Sequence, residues 1–510
     1  MRQLLCKQGL AGALVVVIVL VSYQQLAPSR FAGTAQQGAP NSAAPSQTPS
    51  AGISLAVLPF ANLSGDAAQE FFSDGMTEEI TAALAKVPGL TVLGRTSAFQ
   101  FKGQNRDLRD IGQTLGATHL IEGSVRKEGD RMRITAQLVQ AGNGANIWSE
   151  SYDRQLTSVF ATQEDIAKAI AAALKVPLGL KQGDTLVRDR TSDLESYDQY
   201  LRARALYRAR GPGTAQARDM LERVVARDPL FAPAWGLLAR AHVSNPDTSV
   251  SVRAAREAIR LDSRNAVAYA ALARIQTRLG KWVEAEDLYK QALALDPNEP
   301  EVLDTYAATL TAAGRIKEGL TLSEKLRTLE PFVPQFNLAV AGAMQLDRRS
   351  PASIPLLEAI PVNASGVFTR NAMLAYAYAE AGRFAEAADV LLSMPPQNTV
   401  SRRSVEDAAR ILRSAPTSVQ SPDTLPELEG GLVYAYGFVG AADRAITRYE
   451  REREIQAQPT TSIWLPVLAP MRKTERFKAH VRAAGLLDYW RERGWPDLCR
   501  PVGADDFVCD

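Results

Sequence analysis

Residues able to carry chemistry are scarce in this 510-residue chain, which has three histidines and three cysteines. His119, His242 and His480 stand alone, with no second ligand at metal-binding spacing, so each reads as structural and no metal site is expected. A nucleophile elbow and a phosphate loop are also missing, and Gly142-Asn143-Gly144 fits a hairpin turn far better than a phosphate cradle. No catalytic residue and no cofactor is expected, and the chain reads as a non-enzyme. An excess of one charge is absent as well. Against 58 basic residues stand 56 acidic ones, and a net charge of +2 argues against a nucleic-acid partner. Hydrophobic residues make up 46%, as in an ordinary folded chain, and the length calls for two or more domains.

Cysteine is confined to the two ends. Cys6 precedes an apolar run, and Cys499 and Cys509 lie close to the carboxy terminus. In an oxidising compartment the latter two can close a small loop and pin the terminus; free thiols and a redox pair are the alternatives. The apolar run itself occurs once. Residues 9–23 carry no charge and centre on Leu14–Val21, with Arg2 and Lys7 before them and no charge again until Arg30. This pattern predicts a membrane anchor over 9–26, a short cytoplasmic tail over 1–8, and the rest of the chain across the membrane. A cleaved signal peptide is the competing reading, but Leu26-Ala27-Pro28 is a poor cleavage site because proline follows. Residues 27–51, rich in Ala, Pro, Ser, Gln and Gly, read as a flexible linker.

What the chain has in abundance is a period. Asp228-Pro229, Asp262-Ser263, Asp296-Pro297 and Glu330-Pro331 fall 34 residues apart, the period of the tetratricopeptide repeat, a stacking helix–turn–helix unit. Within one unit, Tyr269, Leu272, Ala273 and Gln276 fall on one side of a first helix, Gly280 makes the turn, and Ala285, Tyr289 and Ala292 face back from the second. Small residues at 273, 285 and 292 let the two helices approach closely. In register with them stand Trp235, Leu238, Ala239 and Ala258 before, and Leu303, Tyr306, Ala307, Gly314, Gly319 and Leu326 after. An earlier unit, 198–229, has Gly211-Pro212-Gly213 at its turn, and 372–392 and 431–451 read as further hairpins. Residues 331–366 and 393–428 hold prolines and read as irregular. About six units are expected over 194–462, followed by a helical cap over 463–510.

Between linker and repeats, residues 52–180 read as an α/β domain. Strands are expected at 53–60, 90–93, 119–126, 131–140 and 146–152, the last three joined by turns at Gly129-Asp130 and Asn143-Gly144. Helices are expected at 71–85, with Ser73 and Asp74 as caps and Glu78 and Glu79 in the first turn, and at 107–115 and 158–174. The arrangement predicts a mixed sheet with helices on one face. Asp66, Asp74, Glu78 and Glu79 form an acidic cluster read as caps and a solvated face, a cation or partner contact being the alternative.

The run SLAVLPFANLSGDAAQEFFSDGMTEEITAALAKVPGLTVLGRTSAFQFKG, followed by IGQTLGATHLIEGSVRKEGDRMRITAQLVQAGNGANIWSESYDR, closely resembles the TolB-type amino-terminal, or FlgO-like, domain of bacterial membrane-anchored tetratricopeptide-repeat proteins. The ending GLLDYWRERGWPDLCRPVGADDFVCD resembles the tail of the same group. In such proteins the cytoplasmic side often carries a class III adenylate or guanylate cyclase or a CadC-type winged-helix domain. Here only Met1 to Gln8 stand before the apolar run, so the resemblance implies a chain without that output domain. It also implies the bacterial inner membrane as location, with the bulk in the periplasm.

Arg240 and Arg274 occupy equivalent positions on first helices of adjacent units, with Arg278 one turn on. On a concave groove they would hold an acidic or carboxylate-ending peptide. The expected function is therefore a non-enzymatic, membrane-anchored periplasmic scaffold that binds a protein or peptide. A signalling subunit related to the cyclases or CadC-type regulators is the alternative.

Overall fold

The computed structural model describes residues 52–510 apart from 181–184, 188–190, 210–212, 363–365, 396–399, 418–420, 456–460 and 504. The expected tail, anchor and linker lie outside the described residues, and no helix among those described is long and apolar enough to cross a membrane.

The first domain is built on β1 (Ile53–Val57), β2 (Ala61–Asn62), β3 (Leu90–Val92), β4 (His119–Glu128), β5 (Arg131–Gln140) and β6 (Ala145–Gln155). They form a mixed sheet in the order β3-β1-β4-β5-β6, with β2 also paired to β4. Strand β1 pairs in parallel on both sides, as an apolar run buried on both faces should. Strand β5 alternates instead: Met132, Ile134, Ala136 and Leu138 are buried while the residues between them meet solvent or the strand edge. Helices Glu70–Leu84 and Val159–Ala173 cover the face carrying Leu55 and Val57. The expectation of helices on one face needs correction. Because Ala56 and Leu58 are apolar too, helix Leu108–Leu115 packs Ile111 and Leu115 on the opposite side. The first long helix also begins earlier than expected, at Glu70, after a 3-10 turn capped by the Asp66 side chain on the Ala68 amide (2.8 Å). Ser73 is therefore an interior residue and not a cap, and Glu78 and Glu79 lie well inside the helix.

From Leu194 the chain is helical. Successive hairpins are Leu194–Ala209 with Gly213–Arg227, Ala232–His242 with Ser249–Leu261, Ala266–Arg278 with Trp282–Leu295, and Pro300–Ala312 with Ile316–Leu329. The expected small residues are where the helices touch: Ala273, Ala285 and Ala292 are fully buried, and Tyr289 stacks on Tyr306 with ring centroids 5.0 Å apart.

The region expected to be irregular at 331–366 is a further hairpin, Pro334–Leu346 with Ser350–Glu358. It hid because its turn lacks glycine. Gly280, Gly314 and Gly382 all have φ near +75 to +85°, and the position midway between the last two, 34 residues from each, is Arg348, with φ +60°. The sixth hairpin is Val367–Glu380 with Phe384–Leu392. Residues 393–428 contain the helix Arg402–Ser414, and 431–451 is a 3-10 stretch (Gly430–Val439) followed by helix Ala445–Ile455 instead of a regular hairpin.

The carboxy-terminal segment is more than a helical cap. It ends in an antiparallel pair, β7 (Cys499–Val502) and β8 (Asp506–Cys509), and it folds back onto the turns of the third and fourth hairpins. The Trp282 indole N–H donates to the Ala484 carbonyl (2.7 Å), Trp464 to Ala312 (3.0 Å) and Trp490 to Ala313 (2.8 Å). The Asp497 carboxylate caps the Lys317 amide (2.9 Å). A Cβ on Gly314 would meet Pro496 at 2.8 Å, so glycine there serves both the turn and the approach of the tail.

The α/β domain and the first repeats share one core, running from Leu55 through Phe160 and Leu201 to Ala271. The contact is close: a Cβ on Gly75 would lie 2.7 Å from Leu201, and Phe160 meets Tyr197 edge to face at 4.9 Å.

Candidate functional site: the repeat groove and its wall

The first helices of successive hairpins lie side by side and present a common face. There they enclose a cavity of about 1320 Å³. Four wall positions 34 residues apart, Arg240, Arg274, Ala308 and Gly342, grade from guanidinium to bare backbone. Beyond them the wall is apolar, with Ala339, Leu346, Met373, Tyr376, Tyr434 and Leu465. At the arginine end, where Asp296, Glu299, Glu301 and Asp304 also line the cavity, the α/β domain contributes Glu78, Glu79, Gly94, Arg95 and Thr96.

Of the three arginines singled out from the sequence, Arg240 and Arg274 reach the cavity wall and Arg278 lies off it. Arg278 donates instead to the carbonyls of Val243 (2.6 Å) and Asn245 (3.0 Å), tying one hairpin turn to the next. Arg240 is paired with Glu301 across two units; burial works against its charge, but Glu301 raises its pKa above the ordinary value. Arg274 is half-buried on the wall and has no partner among the described residues. Of the three, it is the guanidinium left to an anion among the described residues.

The acidic cluster reads differently from the expectation of caps and a solvated face. Asp66 does cap its helix, and Asp74 pairs with Lys102 (2.5 Å). Glu78 and Glu79 are buried, however, because the domain packs on the repeats at that point. Arg204 pairs with Glu78 (2.8 Å) and Glu79 (2.7 Å), Arg95 reaches Glu78 at 3.3 Å, and Arg208 also pairs with Glu78. Burial, opposed by Asp74, pushes the Arg95 guanidinium down to about 10. Across the groove, burial together with Asp296 and Glu301 raises Glu299 to about 7, against the pull of Arg208.

The remaining candidates lie off the cavity wall. His119 shares a hydrogen bond with Thr118 (2.9 Å), and burial lowers its pKa. His242 bonds Asn245 (2.9 Å) and faces Glu222 at 3.3 Å; burial lowers its pKa in spite of that carboxylate. His480 is buried in the tail. Cys499 and Cys509 form a disulfide between β7 and β8. Among the described residues no group of three His, Cys, Asp or Glu side chains is placed to hold a metal ion. The arrangement can bind and orient.

The part of the site that the sequence concealed is contact between distant segments: Arg204 and Arg208 reach Glu78, Glu301 meets Arg240, and Glu330, legible only as a turn residue, meets Thr96 and Ser97. One signal was visible, the replacement of aspartate by glutamate at the fourth 34-residue position.

Residues 268–302, the third hairpin and the start of the fourth, match the family described as Tetratricopeptide repeat. The chain contains a tetratricopeptide repeat. A Rhizobium meliloti (strain 1021) protein provisionally named adenylate cyclase 3 is 41% identical over 202 residues, 39% of this chain and 34% of the relative. The chain thus matches about a third of that relative's length. Among solved structures, pilF of Pseudomonas aeruginosa is similar over 45% of this chain and 93% of its own, at 16% identity and a TM-score of 0.32. YrrB, described as a tetratricopeptide-repeat protein with an unusual peptide-binding site, is similar over 34% of this chain and 88% of its own, at 15% identity and a TM-score of 0.28. TolB from Acinetobacter baumannii is similar over 24% of this chain and 28% of its own, at 15% identity and a TM-score of 0.19.

Proposed function

We propose that this chain is a non-enzymatic, membrane-anchored periplasmic scaffold that binds a protein or peptide in its tetratricopeptide-repeat groove. The observation that carries the reading is Arg274, without a partner among the described residues on the wall of a cavity of about 1320 Å³ whose lining farther along includes Leu346, Met373 and Leu465. An acidic segment with apolar residues alongside its carboxylate would satisfy both ends. The test is crosslinking in intact cells, followed by capture with Arg274→Ala. Reduced capture with unchanged helicity is expected; unchanged capture removes the guanidinium from the reading.

A second reading is a signalling subunit that works with a nucleotide cyclase. It is favoured by the provisional name of the Rhizobium meliloti relative. Envelope proteins among the crosslinked partners favour the scaffold, and a cytoplasmic cyclase or regulator favours signalling. Cyclic nucleotide production by the purified chain alone would overturn the non-enzymatic reading. For location, an alkaline phosphatase fusion after Asp510 is expected to be active, and an inactive fusion reverses the orientation.

A further inference from the structure

The acid that ends each second helix has a fixed duty in three of its four occurrences. Asp228 accepts from the Leu230 amide (3.3 Å), Asp262 from Arg264 (3.0 Å) and Asp296 from Asn298 (3.0 Å), each capping its own turn. The fourth acid is Glu330, and its turn keeps the same backbone form, with the Val333 amide on the Glu330 carbonyl (3.4 Å). Its side chain has left the turn. The carboxylate accepts from the Thr96 amide (3.1 Å) and the Ser97 amide (2.8 Å) of the α/β domain. The Phe332 amide, which an aspartate would have taken, donates to the Ser97 hydroxyl (3.2 Å). Each domain thus caps the other.

The fit is tight. A Cβ on Gly94 would fall 2.1 Å from the Glu330 carboxyl carbon, and the Gly94 amide donates to the Leu329 carbonyl (2.6 Å). Glu330 is almost fully buried, and Phe101 meets Phe332 edge to face at 6.4 Å. The residues held here, Gly94, Arg95 and Thr96, are among those that wall the arginine end of the groove. The same domain is also anchored on the first hairpin, where Glu78 and Glu79 pair with Arg204.

We propose that the reciprocal cap between Glu330 and Ser97 is a latch. It holds the α/β domain across the groove, so that a bulky occupant reaches the arginine end only when the latch opens. The inference rests on the groove being the binding surface. Aspartate at 330 is too short to reach Thr96 and Ser97 and would take back the Phe332 amide, which severs both halves of the cap while leaving the repeat turn intact.

Two variants of the full chain test it, Glu330→Asp and Gly94→Ala, by native-state hydrogen exchange and by thiol labelling of Ala308→Cys in a Cys6→Ser background. Each variant is expected to speed exchange at the Thr96 and Ser97 amides about ten-fold or more, with amides in 266–312 unchanged. A bulky polyethylene-glycol maleimide should label position 308 several-fold faster, and a small methanethiosulfonate reagent at the wild-type rate. Unchanged exchange at Thr96 and Ser97 overturns the cap, as does loss of protection throughout the repeats. Faster exchange with unchanged bulky labelling overturns the gating. No arm needs a partner, so a groove that binds nothing would fail separately from the latch.

Discussion

The attachment of the tail to the middle of the repeats turns on one buried carboxylate. Glu286, 1% exposed on helix Trp282–Leu295, accepts from Tyr489 Oη (2.9 Å), Arg315 Nη1 (3.0 Å) and Tyr306 Oη (3.3 Å), and pairs with Lys290 (2.7 Å). Tyr489 lies on tail helix Leu486–Arg493 and also accepts from Arg315 (2.9 Å). Removing one member of a buried charge pair costs about 3–5 kcal/mol. Arg315 keeps Glu318 as a second partner (2.7 Å), so Glu286→Ala is expected near the low end, about 3 kcal/mol. Read as local opening of the tail, that is roughly a hundred-fold faster amide exchange in 486–493. Tyr489→Phe should cost about 1.5–3 kcal/mol. With Glu286→Gln it should be non-additive by about 1 kcal/mol. Burial opposes the Glu286 charge, but Lys290, Arg315 and Tyr489 outweigh it and hold its pKa below the ordinary value. The stabilisation is therefore present above the unfolded carboxylate pKa of about 4.3 and lost as pH falls through the folded one, so wild type and Glu286→Gln should converge in acid. Unchanged exchange in 486–493 for Glu286→Ala, or additivity within about 0.3–0.5 kcal/mol, refutes this account.

Arg348 holds a left-handed backbone on an exposed turn, so Arg348→Gly should stabilise the fifth hairpin by about 0.5–1 kcal/mol, seen as slower exchange in 334–358. Glu299, raised to about 7, contributes stability that is full below the unfolded carboxylate pKa and lost as pH rises through the folded one. Urea unfolding should accordingly show Glu299→Gln more stable than wild type at pH 8, by about 1–2 kcal/mol, with the gap closing toward pH 5. Replacing both Cys499 and Cys509 by serine removes a short cross-link and should cost the tail about 2–3 kcal/mol, measured as exchange at the β7–β8 amides.

The repeat period was legible because it is local: Asp228, Asp262 and Asp296 cap their own turns, and Ala273, Ala285 and Tyr289 fill the seam their spacing implies. The fifth hairpin was missed where Arg348 replaces the turn glycine and Pro355 lies inside the second helix, two departures from the pattern that packing tolerates. The mixed sheet of the α/β domain was legible in the apolar run of β1 and the alternation of β5, but its strand order was not. What the sequence could not display was contact between distant segments. Glu78 and Glu79 look like a solvated helix face until Arg204 and Arg208, more than a hundred residues on, cover them. Arg240 looks free until Glu301 is brought against it. The same holds for the tail, whose tryptophans seek carbonyls at Ala312 and Ala313.

A stack held only by its neighbours can gain or lose a unit anywhere, since each interface resembles the next. This one has lost that freedom. The tail grips the turns at Gly280 and Gly314, and the α/β domain grips the turn at Glu330. Duplicating or deleting a hairpin between residues 228 and 330 would shift the Glu330 turn by a full superhelical step relative to the α/β domain's seat on Arg204. Its repeat number is fixed in the way the number of links in a closed bracelet is fixed.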